Sequence, residues 1–94
     1  MKTYTRNEVL KALKLMFPNE DQEDILKILD LYGLESQEKE KDRVQLAIIK
    51  LSNGDTARLR HFVEIAKNDY RDVLYEAEYN TKGNIFTDPY KKLF

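Results

Sequence analysis

The sequence predicts an all-α fold, a small four-helix bundle over residues 1–79 with a long last helix and an irregular apolar tail over 80–94. Three observations carry that expectation. Apolar side chains recur at three- and four-residue steps, the period of a helix with one buried face. Capping residues, glycines and a proline fall at the ends of those stretches. Asp55 to Tyr79 reads as one long helix, with a core stripe of Leu59, Phe62, Val63, Ala66, Tyr70, Val73, Leu74 and Ala77.

The first helix is expected to open at Thr5, where Thr5-Arg6-Asn7-Glu8 matches a capping box, and to end near Phe17 ahead of Pro18. Val9, Leu10, Leu13, Met16 and Phe17 form its apolar stripe. Asn19 is the expected cap of the second helix. Glu20, Asp21, Glu23 and Asp24 crowd its first turns, where acids suit the helix dipole, and Gly33 is the expected stop. Those four carboxylates sit on consecutive helical positions and cannot converge on one ion as an irregular calcium loop does.

The third helix is expected to run from near Ser36 to Ser52-Asn53-Gly54, with Asp55 or Thr56 capping the fourth. Val44, Leu46, Ala47, Ile48, Ile49 and Leu51 leave only Gln45 and Lys50 as polar interruptions, so the helix must be buried between several neighbours. A strand is the competing reading of that short run, and the good helix formers upstream favour helix. Leu26, Leu31, Leu46 and Ile49 read as apolar surplus that a monomer would partly expose.

Composition excludes several function classes. Without cysteine there is no disulfide framework, thiolate metal site or thiol nucleophile, which fits a reducing cytoplasm. No apolar leader and no run long enough to span a bilayer is seen, so a soluble chain is expected, with no membrane partner. The net charge of −1 hides a segregation: residues 19–42 hold three basic and nine acidic side chains, whereas residues 1–18 hold four basic and one acidic. His61 is the single histidine, and Arg58 three residues before it breaks the pattern of a helical di-metal site. Gly33, Gly54 and Gly83 stand too far apart for a phosphate loop. No cofactor is called for.

Two constellations remain on the last helix. His61, Ile65, Asn68, Asp72, Tyr75 and Tyr79 follow at steps of four and three, a narrow seam turned away from the core stripe and a candidate contact surface. The tail adds Ile85, Phe86, Tyr90, Leu93 and Phe94, too apolar for a spacer. Asp69, Asp72 and Glu76 also share one side, a candidate acidic site for a hard cation or for acid–base chemistry. The structural reading of the same residues pairs Asp69 with Arg43. Arg58, Arg60, His61 and Lys67 after Gly54 invite comparison with a helix-turn-helix, but as many acids as bases over residues 43–78 and a pI near 5.8 oppose nucleic-acid binding.

Arg43-Val44-Gln45-Leu46-Ala47, Lys50-Leu51-Ser52-Asn53-Gly54-Asp55, Asp69-Tyr70-Arg71-Asp72-Val73-Leu74 and Ala77-Glu78-Tyr79 form a block that resembles a group of short, uncharacterised bacterial helical proteins, as does Ile28-Leu29-Asp30-Leu31-Tyr32-Gly33. The likeness covers roughly residues 25–79 and implies a bacterial, cytoplasmic helical protein with no catalytic residue carried over. The expected function is a non-enzymatic interaction protein. It self-associates or docks a protein partner through His61, Ile65, Asp72, Tyr75 and Tyr79 together with Phe86, Tyr90 and Phe94 of the tail. The alternative is a small carboxylate-dependent, metal-binding hydrolase using Asp69, Asp72 and Glu76.

Overall fold

Thr5 opens the first helix by satisfying its exposed amides. In the computed structural model, which describes residues 4–78, the Thr5 hydroxyl accepts from the Glu8 amide at 3.3 Å and the Glu8 carboxylate accepts from the Thr5 amide at 3.0 Å. This reciprocal cap starts α1 (Arg6–Met16), whose Val9, Ala12 and Leu13 are buried together with Phe17 just beyond it. A turn over Pro18–Glu20 follows. It places Asn19 outside the next helix, so the cap is Asp21, whose carboxylate accepts from the Glu23 and Asp24 amides at 3.0 and 3.1 Å.

α2 (Gln22–Leu29) buries Ile25, Ile28 and Leu29 and ends before Gly33, which lies in the following loop with φ +109°. The loop lasts until Glu40, and α3 (Lys41–Ser52) starts well after Ser36. The cause is Glu38. Its buried carboxylate accepts from the Gly33, Leu34 and Glu35 amides at 2.7, 3.0 and 3.4 Å, which winds residues 33–38 around the side chain instead of into a helix.

α3 is the centre of the fold. Val44, Leu46, Ala47, Ile48 and Ile49 are all fully buried, because α1, α4 and α5 each pack against a different side of the helix. Leu46 and Ile49 are therefore not surplus apolar surface. Leu26 is partly buried against the core and only Leu31 of that group is exposed. Asn53 and Gly54 then turn the chain with φ of +51° and +80°, and a Cβ at Gly54 would meet the Met16 carbonyl oxygen at 3.0 Å. Gly54→Ala is expected to lose about 1–2 kcal/mol, a drop of roughly 5–15 °C in the melting midpoint. An unchanged midpoint would mean that the turn has another backbone geometry.

Asp55 caps α4 (Thr56–Asn68), its carboxylate accepting from Ala57 and Arg58 at 2.8 and 3.2 Å. The expected single long helix is interrupted at Asp69, which has φ −157° and ψ 102°, and the chain resumes as α5 (Tyr70–Glu78). The break folds α5 back so that Val73, Leu74 and Ala77 are buried, with α5 lying against both α3 and α4. The described residues thus form five helices and no strand, and no helix among them is long and apolar enough to cross a membrane.

Candidate interaction surface

The joint between α4 and α5 decides what the outer surface presents. Asp69 caps α5 locally: its carboxylate accepts from the Arg71 amide at 3.0 Å and from the Arg71 guanidinium at 3.0 and 3.2 Å. Those contacts with Arg71 hold the Asp69 carboxyl below the usual carboxylate range. The pairing of Asp69 with Arg43 therefore does not form. Arg43 instead binds Glu78 through two guanidinium nitrogens, one of them at 2.8 Å, and Glu40 at 3.0 Å. The bend turns Asp69 to the surface and brings the last turn of α5 to Arg43. Hydrogen bonding to Glu78, above all, raises the Arg43 pKa. Lys50 of α3 adds a bond to the Ala77 carbonyl at 2.7 Å, so two cations of α3 secure the negative end of α5.

The acidic row is divided by the same break. Asp69 sits between the helices while Asp72 and Glu76 are exposed on α5. Among the described residues, no three acidic or histidine side chains come together in a group that could hold a metal ion.

The seam is split in two but keeps much of its exposure. His61 is exposed on α4, its ring edge-on to Phe62 with centroids 5.4 Å apart, and the Arg58 guanidinium lies 5.8 Å from the centre of the Phe62 ring. Ile65 is partly buried against the core, and Asn68 ends α4 in solvent. On α5, Asp72 is exposed and Tyr75 is 62% exposed. Tyr79 and the tail residues Phe86, Tyr90 and Phe94 lie outside the described residues.

An open cleft of about 250 Å³ lies at the joint, between Gln37 of the α2–α3 loop and residues 66–71. Its charges are already used. Lys67 donates to the Glu38 carboxylate and to the Leu31 carbonyl, both at 2.9 Å, and Asp69 and Arg71 hold each other. The loop that borders it carries Leu34 at 69% exposure and Leu31 at 45%. Leu34 is an exposed apolar residue that sequence reasoning did not single out; its position directly after Gly33 was the available signal. Of the basic residues that suggested a helix-turn-helix, Arg58 donates to the Leu51 carbonyl at 3.0 Å and Lys67 is neutralised by Glu38.

No protein family, no curated protein and no solved structure matches this chain.

Proposed function

We propose that this chain is a non-enzymatic interaction module that associates with a second copy or with a protein partner through the outward face of α4 and α5. The observation that carries the reading is Tyr75, which stands largely in solvent on a short helix whose opposite face, Val73, Leu74 and Ala77, is buried. A large amphipathic ring at such a position is a common anchor of protein interfaces. Asp72 is exposed on the same helix and His61 on α4, and Ile65, Tyr79, Phe86, Tyr90 and Phe94 are also assigned to the contact. Exposed Leu31 and Leu34 add apolar area beside the joint. The absence of cysteine and the resemblance of residues 25–79 to short bacterial helical proteins support a place in a bacterial cytoplasm.

Sedimentation equilibrium over a wide concentration range tests the reading. Wild type is expected to self-associate, and Tyr75→Ala to weaken association about ten-fold or more while changing folding stability by less than about 1 kcal/mol. If the substitution leaves the dissociation constant untouched, Tyr75 does not lie in the interface.

A further inference from the structure

The segment from Asp55 to Tyr79 contains no glycine and no proline, and its apolar stripe keeps helical spacing straight through the break. Helix interruptions of this sharpness ordinarily have such a residue at the bend. Here the bend rests on Asp69 alone, with Asn68 still in α4 and Tyr70 already in α5. What holds it locally is Asp69, which caps α5 through the Arg71 amide at 3.0 Å and pairs with an Arg71 side chain that is 78% exposed and adds little. The bend is held mainly from the far side, by the burial of Val73, Leu74 and Ala77, the Arg43–Glu78 pair and the Lys50 bond to Ala77. All of those are contacts between α5 and the rest of the chain. A second copy offers the same seat.

We propose that Asp69 is a hinge and that the chain dimerises by exchanging α5, each copy straightening α4 and α5 into one helix whose last half seats on α3 of the other. Straightening restores the backbone hydrogen bonds interrupted at Asp69, and exchange recovers the buried contacts of α5 between copies. It also realigns Ile65, Asp72 and Tyr75 into the continuous seam that the sequence spacing describes. The inference rests on the proposed self-association and identifies the partner as a second copy of this chain.

Charge reversal at the Arg43–Glu78 pair tests the exchange. Arg43→Glu and Glu78→Arg each place like charges together in the closed monomer and in any exchanged homodimer. When the two variants are refolded together, an exchanged heterodimer sets opposite charges at both sites, whereas unexchanged chains gain nothing from mixing. The expected result by native mass spectrometry is a heterodimer in large excess over either homodimer; a statistical mixture overturns the exchange.

A second pair of variants does not depend on those chains folding alone. Asp69→Ala and Asp69→Gly both remove the local cap, but alanine favours the straight helix by about five-fold per hinge, so the alanine dimer is expected to be roughly 30-fold tighter. Equal constants overturn the hinge. A wild-type dimer that fails both tests leaves surface association standing without exchange, and a wild type and an Asp69→Ala variant that both stay monomeric overturn both readings.

Discussion

Glu38→Ala is expected to lower folding stability by about 3 kcal/mol, near the lower end for breaking a buried ion pair because Lys67 keeps partial access to water. The Glu38 side chain is 2% exposed, and its two oxygens meet four donors: three successive loop amides on one and the Lys67 ammonium on the other. Truncation strands the three amides and leaves the Lys67 ammonium to the Leu31 carbonyl and water. Residues 33–40 then have no internal anion to wind around, and Leu31 and Leu34 lose the frame that fixes them beside the α4–α5 joint. Urea denaturation measures the loss, and proteolysis reports whether the loop is released at the same time. A loss below about 1 kcal/mol would mean that water replaces the carboxylate without penalty.

The same carboxylate makes stability pH-dependent with a definite sign. Burial pushes the Glu38 pKa up, but Lys67 and the amides of Gly33, Glu35 and Leu34 together outweigh it, so the folded carboxyl titrates below its ordinary range. Asp30 behaves alike, its burial outweighed by Arg6 and Gln45. The unfolded chain therefore binds these protons at higher pH than the folded one. The stabilisation is complete above the unfolded pKa values of about 4, and is lost as the pH falls through the lowered folded values. The urea midpoint of wild type is expected to drop below about pH 4.5, with a shallower drop in Glu38→Gln and a narrowing gap between the two. Parallel curves would assign the acid sensitivity to other carboxylates.

Sequence pattern revealed what local chemistry dictates and missed what distant contacts dictate. The Thr5/Glu8 box, the Asp55 cap, the Asn53-Gly54 terminator and the burial of α3 on all sides follow from neighbouring residues, and each is present. The end of α2 and the late start of α3 do not, because Glu38 sits among the charges of Gln37–Arg43 and nothing local marks it as the acid that turns inward. Asp69 is the same case in reverse. No glycine or proline marks the break, and beyond the Asp69 cap the gain that bends the chain comes from α3, through Arg43, Lys50 and the core beneath Val73. The candidate surface was legible as a set of outward residues, with His61, Asp72 and Tyr75 exposed. Its continuity was not, since one residue off the helical path rotates everything beyond it.

Gln45→Leu is expected to cost about 2 kcal/mol even though it replaces a polar interruption with the residue type that surrounds it. Gln45 is fully buried, and its amide nitrogen donates to the Leu29 and Tyr32 carbonyls at 3.1 and 3.2 Å and to Asp30 at 3.1 Å. Its oxygen accepts from Arg6 at 2.9 Å, and Arg6 in turn holds both oxygens of Asp30 at 2.8 and 2.7 Å. Leucine fills the volume but leaves the buried Tyr32 carbonyl without a donor, which costs about 1–3 kcal/mol, and leaves the Leu29 carbonyl with the Tyr32 amide at 3.1 Å as its remaining donor. Those carbonyls lie at the end of α2, where the chain leaves the helix for the Glu38 loop. Arg6→Ala removes only a half-exposed partner and is expected to cost about 1 kcal/mol. Urea curves of the two single variants and the double variant give the coupling. The double variant is expected to lose about 0.5 kcal/mol less than the sum of the two single variants, because without Gln45 the Arg6 guanidinium has already lost one of its two anchors. Strict additivity would mean that α1 and α3 are joined by apolar packing alone and that the Gln45 amide serves α2 only.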